Sequence, residues 1–195
     1  MAWDLRVPDM GAVDPVRELP EDIPTGLLAA PGTYSVTLSK EEDGVATQLA
    51  GPVDFRVEPM YKGALEGSEP AEVAAFWRDI SEFQRSVTAS SLALEKALKR
   101  VTVLKAVLAR SVAGPGALDS ALHEIHQTLL ELDEQLNGHR SRREVGEKYD
   151  PTIKTRLNFA LSGTALSTYG PTPTHMKSKD IAEKQFRTFR QRLTR

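Results

Sequence analysis

The residues that could carry out chemistry are few in this chain, and the four histidines are the first to consider. His123 and His126 are three residues apart, with Glu124 between them. A zinc-binding helix of the metalloprotease type needs two histidines four residues apart and a glutamate directly after the first. His139 and His175 have no histidine or acidic residue at a ligand spacing. The sequence therefore predicts no metal site.

Motifs for nucleophilic catalysis and for nucleotide binding are not found in the sequence either. No serine lies in a Gly-x-Ser-x-Gly elbow, and neither a Walker loop nor a Gly-x-Gly-x-x-Gly pattern occurs. There is no cysteine, which excludes thiol catalysis and disulfides. The acidic groups Glu21-Asp22 and Glu41-Glu42-Asp43 are expected in a loop and at an exposed hairpin tip, not as the facing carboxylates of a glycosidase. We therefore expect no catalytic, cofactor-binding or metal-binding residue and no cofactor, and we predict that this chain alone is not an enzyme.

Two further sets of residues could bind a ligand. A basic bias marks the C-terminal segment, in Lys177, Lys179, Lys184, Arg187, Arg190, Arg192 and Arg195. Cations near a helix C-terminus complement its dipole, and no stacking aromatic accompanies them, so nucleic-acid binding is not favoured. Trp3, Tyr34 and Trp77 could line a carbohydrate platform. Tyr34 and Trp77 lie on or beside apolar stripes, so we interpret both as core residues. For Trp3 the sequence favours neither core packing nor ligand binding.

Composition bounds the remaining classes of function. The 195 residues include 25 basic and 27 acidic side chains, which gives no reason to expect a nucleic-acid or membrane partner. No apolar run approaches the roughly 20 residues that span a bilayer. The segment from Met1 to Arg6 lacks the basic start and the apolar core of a signal peptide. The compartment of the protein is left open.

Residues 1–67 have the pattern of a β-rich segment. Seven prolines interrupt this part of the chain, at Pro8, Pro15, Pro20, Pro24, Pro31, Pro52 and Pro59. Between them, alternating apolar residues predict strands at 2–7, 33–39, 45–49 and 53–57, with a proline-rich loop over 8–31. Asp43-Gly44 is typical of a hairpin turn. Four strands are fewer than the usual seven or so of a sandwich, so we expect a partial antiparallel sandwich of the Ig or FlgD type, with an apolar face left uncovered.

Residues 68–195 have a helical pattern instead. Helices are predicted at about 69–112, 117–137, 152–166 and 173–194, with Ser68 and Thr172 as N-caps. The first helix, of about 40 residues, follows a seven-residue repeat in Val73, Ile80, Val87, Leu94, Val101 and Leu108, with companions at Phe76, Phe83, Ser90, Ala97, Leu104 and Ser111. The second has its stripe in Leu118, Leu122, Ile125, Leu129, Leu132 and Leu136. The third has Ile153, Leu157, Ala160 and Leu161, and the last has Met176, Ile181, Phe186, Phe189 and Leu193. The fold class is thus predicted to be α+β, with an up-down bundle of three to four helices after the strands.

Several of these segments, in this order, resemble one family. Trp3-Asp4-Leu5-Arg6, a proline-rich loop and the strand Ala30-Pro31-Gly32-Thr33-Tyr34 are similar to the last strands of the C-terminal sandwich in bacterial sortilin-like β-propeller proteins labelled glycosyl hydrolases. Arg156-Leu157-Asn158 and Thr172-Pro173-Thr174 resemble segments near the end of the helical region that follows. This chain departs from the family in having Ala-Pro where Pro-Pro is frequent, a longer acidic hairpin tip and no Asp-box repeat.

The resemblance implies a role for the chain and no catalytic residue. It implies a non-catalytic structural and interaction module that is a fragment of a larger parent protein, with the propeller of that parent as its partner. Hydrolase activity and export are what the resemblance implies for the parent, not for this chain. Self-association through the long helix is a further expected contact. The alternatives are a carbohydrate-binding accessory domain, for which the loop 8–31 would matter, and a stand-alone helical protein for oligomerisation or partner docking.

Overall fold

The chain is an α+β protein in which two small sheets precede a set of helices. The computed structural model describes residues 3–8, 11–12, 25–60, 66–112, 116–148, 150–165 and 169–194. The strands are β1 (Arg6–Pro8), β2 (Thr25–Leu28), β3 (Gly32–Glu42) and β4 (Val45–Val57). The helices are α1 (Pro70–Ala109), α2 (Ala117–Asn137), α3 (Arg140–Glu144), α4 (Ile153–Ala165) and α5 (Pro173–Leu193).

The described strands, four as in the prediction, differ from it in position and length. β1 pairs with β2 and β3 pairs with β4, each pair antiparallel, in two separate sheets. The two strands predicted at 45–49 and 53–57 are a single strand, β4, in which irregularities of register opposite Val36–Ser39 accommodate extra residues. The predicted loop 8–31 contains a strand, β2, while residues 9–10 and 13–24 of it lie outside the described residues. A β-sandwich is not confirmed.

The turn between β3 and β4 confirms the prediction from the sequence. Asp43 has a φ of 52° and Gly44 a φ of 76°. Two consecutive residues with positive φ form the type of turn whose twist matches that of the flanking strands, and Asp-Gly is a preferred pair for it. The residues Asp43-Gly44 therefore specify the turn that joins β3 to β4.

The helix bounds agree with the prediction to within three residues. Ser68 is not the N-cap of α1: that position is Glu69, which makes no side-chain capping bond, and Pro70 occupies the first turn. Thr172 is the N-cap of α5, as predicted. α1 ends at Ala109, three residues before the predicted end, and residues 113–115 lie outside the described part of the chain. The short helix α3 was not among the predicted helices.

α1 is the spine against which the other long helices pack. Near its C-terminus, Lys105 Nζ lies 3.5 Å from His126 Nδ1 of α2. Nearer its middle, Lys154 Nζ of α4 donates a hydrogen bond to Ser91 Oγ at 2.9 Å. We call α1 residues 70–95, α4, α5 and α2 residues 129–137 the helical base, and α1 residues 96–110 with α2 residues 117–128 the helical tip.

The core lies mainly in the helical base. Its largest fully buried side chains are Phe189, Ile80, Leu94, Leu132, Leu136, Ile153, Leu157 and Val87. Phe186 packs edge-on against Phe83 with ring centroids 5.5 Å apart, and it stacks on Phe189 at 5.8 Å. This contact joins α5 to α1, and the predicted stripes of these helices are therefore confirmed in the base.

Four apolar members of the predicted stripes are exposed. Leu104, Leu118 and Ile125 of the tip are 44%, 63% and 50% exposed, and Met176 of α5 is 46% exposed. The prediction that these residues belong to the core is wrong. The three tip residues are exposed because α1 and α2 cover only one side of each other there. α4 and α5 pack against α1 and α2 in the base and do not extend to the tip.

Candidate functional site

The β3–β4 hairpin presents an apolar face that no described part of the chain covers. Opposed residues of antiparallel strands share a face, and Tyr34 pairs with Phe55 and Val36 with Val53. Leu38 continues the alternation of β3 on the same side. We call these five residues the hairpin apolar face. Val36, Leu38 and Val53 are 56%, 58% and 61% exposed, although an alternating pattern of this kind is typical of a strand with one buried face.

One end of the hairpin apolar face carries a small aromatic cluster. The ring centroid of Trp3 lies 5.3 Å from that of Tyr34 and 5.9 Å from that of Phe55, and the interplanar angles are 59° and 80°. The indole N–H of Trp3 donates to Arg6 O at 2.7 Å, and the Tyr34 hydroxyl donates to Ala30 O at 2.6 Å. Tyr34 and Phe55 are stacked with ring centroids 6.0 Å apart, and Trp3 packs at a steep angle against both. The three rings therefore pack as in a small core and do not form a single flat platform on which a sugar ring stacks.

Trp77 lies elsewhere in the molecule. It belongs to α1 and lines a pocket of about 480 Å³ between the β1–β2 sheet, α1 and α4. The structure therefore brings together Trp3 and Tyr34 of the three carbohydrate candidates, and it leaves Trp77 apart. Phe55, the third member of the cluster, was missed in that set, although its alternation with Val53 could have placed it on the face of Tyr34.

The pocket beside Trp77 has mostly apolar walls with a few polar groups. Arg6 and Arg85 contribute guanidinium groups, and Arg6 Nη1 donates to Gly26 O at 2.9 Å. No aspartate, glutamate or histidine is among its described lining residues. The Trp77 indole nitrogen has no hydrogen-bond partner, but it is also shielded from solvent and so cannot be reached by a ligand in the pocket. The pocket therefore offers no general base and no free donor at Trp77.

Ser91 and Lys154 resemble the nucleophile and base of a Ser–Lys pair. Their 2.9 Å contact is within hydrogen-bonding distance, and burial lowers the pKa of Lys154 while the nearby charges of Asp133 and Glu95 act to raise it. Ser91 lies in the middle of α1, where backbone N–H groups already bond to the preceding turn. They are not available as an oxyanion hole, so the pair is better suited to holding α4 against α1.

The histidines are also committed to structural contacts or exposed. His139 Nε2 lies 2.8 Å from Glu134 Oε1, a contact with a glutamate five residues earlier, which is not one of the ligand spacings on which the sequence prediction rested. His175 forms a capping box with Thr172: the His175 N–H donates to Thr172 Oγ1, and the Thr172 N–H donates to His175 Nδ1, each at 3.3 Å. The spacing of three residues from a threonine N-cap could have indicated this role.

No metal site is found within the part of the chain that the structure describes. There, no group of three or more histidine, aspartate and glutamate side chains is arranged to hold an ion. In the same described residues, no helix is both long and apolar enough to cross a membrane.

The basic C-terminal helix is partly used for ion pairs within the chain. Lys179 Nζ lies 2.7 Å from Asp79 Oδ2 of α1 and 2.6 Å from Glu183 Oε1. Burial alone would lower the pKa of Lys179, but its hydrogen bonds to these two carboxylates outweigh burial and raise it. Arg192 pairs with Glu131 of α2 at 2.7 Å. At least these two cations join helices to each other.

The helical tip is the second exposed apolar surface. Leu104 is 44% exposed on α1, and Leu118 and Ile125 are 63% and 50% exposed on α2. We call these three residues the tip face. Isolated exposed apolar residues are normal, whereas a contiguous group is typical of an interaction surface.

Comparison of the chain with protein-family models, with curated proteins and with solved structures finds no match. The structure itself shows an α+β chain with two exposed apolar surfaces among its described residues, the hairpin apolar face and the tip face.

Proposed function

We propose that this chain is a non-catalytic structural and interaction module, and that the hairpin apolar face is the surface on which it receives further β-strands. The observation that carries the proposal is the exposure of the apolar face of β3. Val36 and Leu38 alternate with serine and threonine residues, yet they are 56% and 58% exposed, whereas Tyr34, which packs against Trp3, is partly buried. Burying apolar surface is worth about 25 cal/mol per Å², so the hairpin gains stability from a cover.

The partner that fits this face is the remainder of a β-sandwich from the same polypeptide. Sheets that pack face to face bury alternate residues of both, and the hairpin supplies one half of such a contact. The ordered segments that resemble sortilin-like propeller proteins support this assignment, with the propeller of the parent polypeptide as the neighbouring domain. In that arrangement the module braces the propeller, and any hydrolase activity belongs to the parent protein.

The absence of cysteine makes a direct test available. Val36→Cys places a single thiol on the hairpin apolar face, and Ser35→Cys places one on the opposite face as a matched control. Both thiols are expected to react rapidly with a maleimide in this chain. In a longer polypeptide, expressed from the reading frame upstream of the Met1 codon, the thiol at position 36 should be protected and the thiol at position 35 should not.

Two results would overturn the proposal. An upstream region that encodes no further strands in frame removes the partner from the same polypeptide. Slow labelling of Val36→Cys in this chain alone would mean that the chain already covers its own hairpin face.

A further inference from the structure

The heptad pattern of α1 and α2 continues past the point at which the chain covers it. Apolar residues at multiples of seven positions continue from the base into the tip on both helices. They are Phe83 and Leu104 on α1, and Leu132, Ile125 and Leu118 on α2. Phe83 and Leu132 are buried in the helical base, at 8% and 0% exposure. Their counterparts in the tip are exposed, because α4 and α5 fill the groove between α1 and α2 only in the base. A groove of the same apolar character is therefore open in the tip.

The charges of the tip differ between its two helices. From residue 96 to residue 110, α1 and its C-cap carry the basic residues Lys96, Lys99, Arg100, Lys105 and Arg110 and no acidic residue. From residue 117 to residue 128, α2 carries Asp119 and Glu124 and neither lysine nor arginine. Within the described residues, no ion pair engages Arg100, Arg110, Asp119 or Glu124. Each helix of the tip is thus complementary in charge to the other helix of a second copy.

We propose that the tip face binds the tip face of a second copy of this chain, with α1 of each copy opposite α2 of the other. A two-fold axis along the hairpin of α1 and α2 produces this arrangement, and it completes a local four-helix bundle. The alternative axis, perpendicular to the helices, would place α1 opposite α1 and bring the basic residues together. Charge complementarity therefore selects the first arrangement.

The extent of the contact follows from the position of α4 and α5. These helices occupy the groove in the base, so the two copies can meet only along the tip and must diverge below it. The tip face has three apolar residues per copy, fewer than the 20 to 30 residues per side of a standard interface. We therefore expect a concentration-dependent dimer and not a permanent one. This inference deepens the proposed role as an interaction module but concerns a different surface, so either can fail without the other.

The test is sedimentation velocity of the full chain over a wide range of concentration. The unchanged protein should pass from monomer to dimer, and the double variant Leu104→Gln, Ile125→Gln should remain a monomer. Val36→Thr with Val53→Thr on the hairpin apolar face is the matched control and should dimerise like the unchanged protein. Circular dichroism confirms that each variant keeps its helices.

Charge-reversed variants test the orientation. Lys96→Glu with Arg100→Glu makes the α1 side acidic, and Asp119→Lys with Glu124→Lys makes the α2 side basic. Each variant alone should lose at least tenfold in dimer affinity, and an equimolar mixture of the two should recover it. Added salt should weaken the dimer of the unchanged protein.

Three outcomes would overturn the proposal. The first is a monomer at every concentration. The second is a dimer that the hairpin control abolishes and the tip variant leaves intact. The third is charge-reversed variants that dimerise as well as the unchanged protein, with salt strengthening the association, because that is the behaviour of α1 packed against α1.

Discussion

The helical base and the β3–β4 hairpin have equally regular apolar patterns, but the apolar residues are buried in the base and exposed in the hairpin. In the base, the seven-residue repeat of α1 meets α4 and α5, and Ile80, Val87 and Leu94 are each 1% exposed. In the hairpin, an alternation that is just as regular leaves Val36 and Val53 more than half exposed. A pattern in the sequence predicts that one face of an element is suited to burial. Whether that face is covered depends on what other part of a polypeptide reaches it.

The helical tip makes the same comparison within a single pair of helices. Leu132 and Ile125 lie seven residues apart on one stripe of α2, and they are 0% and 50% exposed. Both are large aliphatic side chains at the same position of the repeat. Leu132 is buried because α4 and α5 pack in the base, and Ile125 is exposed because these two helices do not extend to the tip.

The largest expected effect comes from this pair of residues. Leu132→Ala should lower the free energy of unfolding by about 2–5 kcal/mol, because it leaves a cavity in a packed core. Ile125→Ala should lower it by less than about 1 kcal/mol, because its side chain is half in water in the monomer. Urea unfolding at a concentration where the protein is monomeric measures both. Equal losses in the two variants would show that the tip is covered in the monomer.

Much of the helical part was predictable because its signals are local. Pro70 in the first turn of α1, Thr172 before Pro173 and Gly138 after α2 each act on the backbone within a turn, whatever the rest of the chain does. Asp43-Gly44 acts in the same way in the hairpin. Their positions therefore translate directly into helix ends and a turn.

The errors concern relations between distant parts of the chain. β4 was divided into two strands because Gly51-Pro52 is typical of a break, but the irregular register opposite Val36 and Leu38 lets a single strand continue through it. β2 was missed because its partner β1 lies across the proline-rich segment, and four residues give little periodicity. The contact of Ser91 with Lys154 spans 63 positions, and nothing local to either residue indicates it.

Substitutions at the N-caps of α1 and α5 should change the free energy of unfolding by less than Leu132→Ala does. They test whether a local capping signal contributes to stability independently of contacts between distant parts of the chain. Thr172→Ala removes the hydroxyl that accepts the His175 N–H at the start of α5, and it should cost about 0.5–2 kcal/mol of stability. Glu69→Ala is the matched control, since Glu69 makes no side-chain capping bond at the start of α1, and it should change stability by a few tenths of a kcal/mol. Thermal unfolding followed at the helix band of circular dichroism provides the measurement. A loss at Glu69 as large as that at Thr172 would contradict the assignment of the capping box.

The smallest effect is a difference in alkaline pH dependence between the two lysines that join helices in the base. The pKa of Lys179 is raised above its usual 10.5, so its contribution to stability is fully present below pH 10.5 and is lost as the pH rises through the higher pKa of the folded state. The pKa of Lys154 is lowered by burial, so the folded state loses its proton first and stability rises as the pH passes from that lower pKa towards 10.5. Replacing each residue with methionine isolates its contribution as the difference in unfolding free energy from the unchanged protein. Above pH 10.5 the difference for Lys179→Met should shrink, whereas just below pH 10.5 the difference for Lys154→Met should shift in favour of the unchanged protein. Parallel curves for the two variants would mean that the carboxylates beside Lys179 do not hold its proton more strongly than Asp133 and Glu95 hold that of Lys154.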